Sequence, residues 1–184
     1  MAMKKTLMAG MVALCAMSGM NAAQAAAATS GTQTFKANIT ASTCSISGLS
    51  GAVAIGSINS ATIDSVSAWH VPAGAPVVKY QFSVSGCPAS YTQVEVTPSF
   101  TSEGGNYSRF VKNSGTAKGI SLDTGKLSEG DWDTSRIWES GKKKTFTLSK
   151  GAVTVPVTGG VSKNAQAAAA GTVDFKMSFT FDFV

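Results

Sequence analysis

A strict alternation of apolar and polar residues runs from Val173 to Phe183, close to the end of the chain, and constrains the fold more than any other feature. Alternate side chains of a β-strand point to opposite faces of its sheet, so the pattern predicts a long strand with one apolar face. Such a face must be covered by protein. Its residues are Val173, Phe175, Met177, Phe179, Phe181 and Phe183.

A shorter alternation near the start of the chain predicts a second amphipathic strand. Two such strands at opposite ends of a chain leave two possibilities. The chain closes its own sheet, or it lends one strand to a neighbouring molecule. The apolar positions of this early segment are Phe35, Ala37, Ile39 and Ala41.

The first 25 residues have the pattern of a secretory signal peptide. Lys4 and Lys5 precede the uncharged apolar run Thr6–Met20, and Ala-Gln-Ala at 23–25 offers a small-x-small cleavage site. We therefore expect an exported protein. Cleavage there leaves 159 residues, enough for one domain with a substantial core.

The charges of this mature chain are few and scattered, with 13 basic against 10 acidic residues. The single basic run, Lys142–Lys144, is interpreted as a solvated turn before a strand. Nucleic-acid binding needs a larger basic patch interleaved with aromatic residues. No nucleic-acid partner is expected.

Two cysteines, Cys44 and Cys87, remain after cleavage because Cys15 lies in the signal peptide. A pair of cysteines in an exported protein favours a disulfide. The bond would add about 4 kcal/mol of stability in the chain-entropy model. Two cysteines and a single histidine, His70, do not make a zinc ligand set, and neither a metal nor another cofactor is expected.

Short β-type segments separated by glycine- or serine-rich breaks account for most of the mature chain, while helix signals are nearly absent. This spacing predicts a β-sandwich or barrel. The alanine-rich stretch Ala165–Ala170 is interpreted as a loop or single turn. The predicted strands, besides the early segment, are Ala52–Ile58, Val77–Gly86, Thr92–Phe100, Ser108–Lys112, Gly119–Asp123, Lys144–Leu148, Ala152–Val157 and Thr172–Val184.

The sequence contains no catalytic constellation, and no enzymatic activity is expected. His70 lacks a nucleophile-elbow motif and is interpreted as a loop residue. Asp131, Asp133 and Glu139 lie beside two tryptophans, a combination found in glycosidases and sugar sites but also in solvated loops. A hydrolase that uses these carboxylates is the minor alternative.

The segment from Gly31 to Ile46 resembles the mature N-terminus of fimbrial subunits assembled by the chaperone–usher route. A glycine leads into alternating apolar residues that end at the first cysteine, here Cys44. In that family a second cysteine follows later in the domain, here Cys87, and the chain ends in an alternating aromatic strand. The resemblance covers the whole mature chain and is closest to the major shaft subunits of type 1-like fimbriae.

This resemblance implies an all-β fold, an incomplete immunoglobulin-like sandwich that lacks its final strand, with an N-terminal donor-strand extension. It divides the chain into a signal peptide at 1–25, the extension at 26–42 and a pilin domain at 43–184. In the family, a periplasmic chaperone lays a strand in the groove that the missing strand leaves. The extension of the next subunit replaces it in the fibre.

The resemblance also implies roles for particular residues. The C-terminal strand would form one wall of the groove, and a periplasmic chaperone would hold the carboxylate of Val184 through basic residues. The donor strand would insert Gln33, Phe35, Ala37, Ile39 and Ala41.

The expected function is that of a structural subunit of a surface fimbria that supports adhesion. Its expected partners are neighbouring fimbrial subunits, a periplasmic chaperone, an outer-membrane usher and, through adhesion, a host glycan or protein receptor. The chain would pass through the periplasm to the bacterial cell surface. The alternative is a glycan-binding minor subunit or adhesin, with Trp69, Trp132 and Trp138 as stacking surfaces.

Overall fold

Two five-stranded β-sheets form the framework of the computed structural model, which describes residues 27–28, 31–39 and 44–184. Residues 27, 28, 38 and 39 are described by their backbone alone. The predicted signal peptide and Ala41 lie outside the described residues. The strands are β1 (Ala27–Ala28), β2 (Gly31–Ile39), β3 (Ser45–Ser47), β4 (Ser50–Ile55), β5 (Ile58–Asn59), β6 (Val77–Ser85), β7 (Gln93–Ser99), β8 (Phe110–Lys112), β9 (Ile120–Asp123), β10 (Lys144–Thr147), β11 (Val153–Lys163) and β12 (Asp174–Phe183).

The strand order is β10-β7-β12-β2-β4 in the first sheet and β3-β6-β11-β9-β8 in the second. All pairings of these strands are antiparallel except that of β12 with β2, which is parallel. The short β1 pairs with β5 outside both sheets. The first and last long strands of the described chain are therefore neighbours in one sheet.

The inward faces of the two sheets form one apolar core. From the first sheet, β12 buries four of the residues that the sequence pattern predicted to face inward: Phe175, Met177, Phe179 and Phe181. From the second sheet, β6 buries Val78, Phe82 and Val84. The prediction of an all-β fold is confirmed, with two sheets that share one core, and each predicted strand overlaps an observed one.

The prediction for the strand that begins at Ala152 was wrong at its end, because β11 continues through Gly159 and Gly160 to Lys163. A side chain at Gly160 would come within 2.8 Å of the carbonyl oxygen of Lys126. These glycines therefore allow close packing inside a strand and do not break it.

A five-residue helix, α1 (Ser60–Asp64), was not predicted. The side chain of Asn59 caps it by accepting a hydrogen bond of 2.9 Å from the backbone N–H of Ala61. The described residues contain no helix that is long and apolar enough to cross a bilayer.

The predicted disulfide between Cys44 and Cys87 is present. It joins the residue before β3 to a residue just after β6, at one end of the second sheet. The backbone N–H of Cys87 also donates to the carbonyl of Gly151, at 3.1 Å. The bond therefore holds the point at which the chain leaves β2 and enters the second sheet.

Replacing both cysteines with alanine should lower the free energy of unfolding by about 2–4 kcal/mol, because the cross-link restricts the unfolded chain. Urea unfolding of the oxidised wild type and of C44A/C87A measures this difference. Wild-type protein unfolded in the presence of dithiothreitol is the control and should show a similar loss. An unchanged urea midpoint in both samples would contradict the prediction.

Candidate functional site

The N-terminal strand β2 lies between β12 and β4 in the sheet of its own chain. It runs parallel to β12, with Thr32 beside Asp174 and Ile39 beside Phe181. It runs antiparallel to β4, with Gly31 beside Ile55. Of the two possibilities that the sequence left open, the chain here closes its own sheet.

We call the space that β2 fills the N-terminal groove. Its walls are β12 and β4, and its floor is formed by Tyr80 and Phe82 of the second sheet. The alternation of β2 places one row of side chains on this floor and leaves the other row, including Thr32 and Lys36, exposed.

Three residues that the sequence analysis assigned to the donor strand face into the groove. Gln33 and Phe35 are fully buried, and Ala37 packs against the core. The backbone of Ile39 pairs with that of Phe181, but its side chain is not described. Ala41 lies outside the described residues.

Phe35 anchors the strand. Its ring stacks on that of Tyr80, with the ring centres 4.2 Å apart and the planes within 8° of parallel. It also meets Phe82 edge-on, with the centres 6.5 Å apart, and lies 6.3 Å from Phe179 of β12. Aromatic pairs of this kind add to the stabilisation that burial of their area provides.

Two glycines make the groove narrow enough for this packing. Gly51 of β4 pairs with Phe35, and a Cβ atom there would lie 2.6 Å from Cε2 of Tyr80. A Cβ atom on Gly31 would lie 2.6 Å from the carbonyl oxygen of Val173. Because Gly31 has no side chain, the two backbones approach, and the Thr32 N–H donates to that carbonyl at 3.0 Å.

The apolar residues of the C-terminal alternating segment, which begins at Val173, are buried as their alternation indicates. The first five of its apolar residues are at most 3% exposed. Phe183 is partly buried, with its ring centre 5.9 Å from that of Tyr91. The terminal carboxylate of Val184 accepts hydrogen bonds from the backbone N–H groups of Thr92 and Gln93, at 2.9 and 3.0 Å.

The three tryptophans proposed as sugar-stacking residues differ in exposure. Trp138 is 1% exposed, and its Nε1 donates to the carbonyl of Pro156 at 3.2 Å, so it belongs to the core. Trp132 is 48% exposed, with the guanidinium of Arg109 over its ring at 4.7 Å. Trp69 stacks on the exposed ring of Tyr107 at 3.7 Å.

The carboxylates near these tryptophans are engaged with neighbours. Asp131 and Asp133 both lie against Arg136, at 2.6 and 3.4 Å. The hydrogen bond from Arg136 lowers the pKa of Asp131, and hydrogen bonds from Ser135 lower that of Asp133.

Glu139 has a similar environment. Hydrogen bonds from Lys142 and Ser108 lower its pKa. A general acid at neutral pH needs a raised pKa, and the pKa shifts of these three carboxylates are in the opposite direction. Nδ1 of His70 lies 3.0 Å from the carbonyl oxygen of Ala68, within the loop to which the sequence assigned it.

The sequence analysis did not identify Tyr80 and Gly51 as residues that shape the groove. A signal for Tyr80 was available, because Val78, Tyr80, Phe82 and Val84 alternate with polar residues and share one face of β6. No signal marked Gly51, since the need for a glycine arises only where β2, β4 and β6 meet.

No protein-family model matches this chain. A search of curated proteins likewise finds no significant match. The proposal for the function therefore depends on the geometry of the N-terminal groove and of β2, which fills it.

Replacing Gly51 with alanine should push Tyr80 away from Phe35 and lower the free energy of unfolding by about 1–3 kcal/mol, as overpacking does. Gly56→Ala is the matched control, because a Cβ atom there meets nothing within 4 Å. Thermal unfolding of both variants measures the difference. Equal melting temperatures would show that the Tyr80–Phe35 contact does not hold the strand.

The carboxylates around Arg136 should make the protein sensitive to acid. Because the pKa of Asp131 and that of Asp133 are lower in the folded state, their contribution is complete above the unfolded pKa of about 4. This stabilising contribution is lost as the pH falls through the pKa values of the two groups in the folded state. The urea midpoint should therefore drop between pH 7 and pH 3. Arg136→Gln should reduce that drop, and an identical drop in the variant would contradict this origin.

Proposed function

We propose that this chain is a structural subunit of a bacterial surface fimbria that polymerises by donor-strand exchange. A periplasmic chaperone would deliver it to an outer-membrane usher, and each subunit would insert its N-terminal strand into the groove of a neighbour. The observation that carries this proposal is the place of β2, an N-terminal strand that fills an interior position of the sheet, between β12 and the edge strand β4.

The groove needs an occupant. Without β2, the edge of β12 has no partner on that side, and the inward residues beside it lose their cover. An unpaired apolar edge invites aggregation. A bacterium that exports such a chain needs a strand to cover the groove at every stage, and a chaperone strand followed by a neighbour's strand meets that need.

The connection of β2 to the rest of the domain favours exchange. Only residues 40–43 separate β2 from Cys44, which the disulfide holds beside the end of β6. This short connection makes β2 enter its own groove parallel to β12. A strand from another molecule has no such tether and can also pair antiparallel, which is slightly more stable per residue.

The energy of insertion is large enough to build a fibre. If the inserted side chains bury about 300–400 Å² of apolar surface, the gain is about 8–10 kcal/mol at 25 cal/mol per Å². This is comparable to the stability of a whole domain. The contact is also head-to-tail, and such contacts produce open filaments.

Receptor binding is the second candidate function, and the exposure of Trp132 and Tyr107 favours it. Arg109 lies over the Trp132 ring and is held by the buried carboxylate of Asp123, at 2.9 Å. Exposed, positioned aromatic rings can stack on sugars. Glycan-array binding by purified fibres that is lost in Trp132→Ala, with assembly retained, would support this role.

Deleting residues 26–42 should leave a chain that binds chaperone but does not enter fibres, because the donor strand is absent. Electron microscopy of cells that carry only the deleted subunit measures fibre formation. The full-length chain with Lys36→Ala is the control and should still polymerise, since Lys36 is exposed. Fibres built from the deleted chain would show that β2 is not the donor.

A synthetic peptide spanning residues 30–42 should raise the melting temperature of the deleted chain by refilling the groove. The same peptide with Phe35→Asp is the control and should have little effect, because a charged group cannot occupy the ring's site against Tyr80. A deleted chain that is already as stable as the full-length chain would indicate a self-sufficient sandwich.

A further inference from the structure

One polar side chain lies among the apolar residues of the N-terminal groove. Gln33 is 0% exposed. Its Nε2 donates to the backbone carbonyl of the adjacent Thr34 at 3.2 Å. Within the part of the chain that the structure describes, its Oε1 has no hydrogen-bond partner.

The neighbours of Gln33 are apolar on both sides. It pairs with Val53 across β4 and with Phe175 across β12, and Phe35 is the next inward residue along its own strand. Residues that pair across a sheet share a face, so the amide lies in a row of hydrocarbon side chains. Exchanging the amide oxygen and nitrogen does not help, because the oxygen would then face the Thr34 carbonyl.

A buried polar atom without a partner destabilises the state that buries it. In this chain that state is the one with β2 inserted. Gln33 reaches water when β2 leaves the groove, so the destabilisation acts on the inserted strand and is relieved by its release. The walls and floor, by contrast, suit an apolar side chain at this point.

We propose that Gln33 keeps the chain's own strand displaceable. The unpaired amide weakens the insertion of β2 at this position, so that an incoming strand can replace it. Phe35 anchors β2 in the groove, and Gln33 limits how tightly β2 is bound there. This inference rests on the proposed function, since displacement matters only if another strand takes the groove.

The test replaces Gln33 in the full chain, exported to the periplasm and purified. Gln33→Met removes the amide and keeps an unbranched side chain of similar length, whereas Gln33→Glu puts a charge at the same point. A fluorescent peptide spanning residues 30–42 is the incoming strand, and its capture rate is measured by anisotropy. Lys36→Met and Lys36→Glu are matched controls on the exposed face of the same strand.

Capture should be about tenfold slower for Gln33→Met than for the wild type, the factor that corresponds to about 1.4 kcal/mol. It should be faster for Gln33→Glu. The urea midpoint should move the opposite way, upward for methionine and downward for glutamate. The two Lys36 variants should stay within about twofold of the wild type.

Two failures are distinguishable. If the wild type captures peptide but Gln33→Met captures it equally fast or faster, or has a lower urea midpoint, the role of Gln33 is wrong and strand exchange stands. If neither the wild type nor Gln33→Glu captures peptide, strand exchange itself is wrong, and the role of Gln33 falls with it.

Discussion

The contact on which the rest of this structure depends is that of Phe35 with Tyr80. It brings a residue near the chain's N-terminus onto the floor of a groove whose walls come from β4 and from the C-terminal strand. Through this ring, β2 connects the two sheets as well as its neighbours within one sheet. Gly51 makes the contact possible by leaving room for the Tyr80 ring.

The remainder of the sandwich serves as a frame for the groove. The disulfide holds the chain at the point where it passes from the first sheet to the second. Trp138 fills the core behind β12, with its ring edge-on to Phe179 at 5.3 Å. A frame held in this way keeps the walls of the groove in place on both sides of β2.

The sequence predicted the sheets well because alternation is a local signal. β12 and β6 carry apolar residues at every second position, and each buries the face that its pattern indicated. The prediction failed where the cause was not local. Gly160 resembles a break in the sequence, but it is a strand residue that packs closely against the carbonyl of Lys126. Trp138 lies in a charged segment of the sequence, yet it is buried.

The sequence by itself determined which described residues of β2 and β12 face inward, because a period of two is a property of the chain alone. It also predicted the pairing of Cys44 with Cys87, because the third cysteine lies in the predicted signal peptide. Only the tertiary structure decided that β2 lies parallel to β12 in its own sheet, that Phe35 meets Tyr80, and that the amide of Gln33 is buried among apolar groups. An alternating pattern specifies the faces of a strand but not its partners. Those partners follow from contacts between residues far apart in the chain.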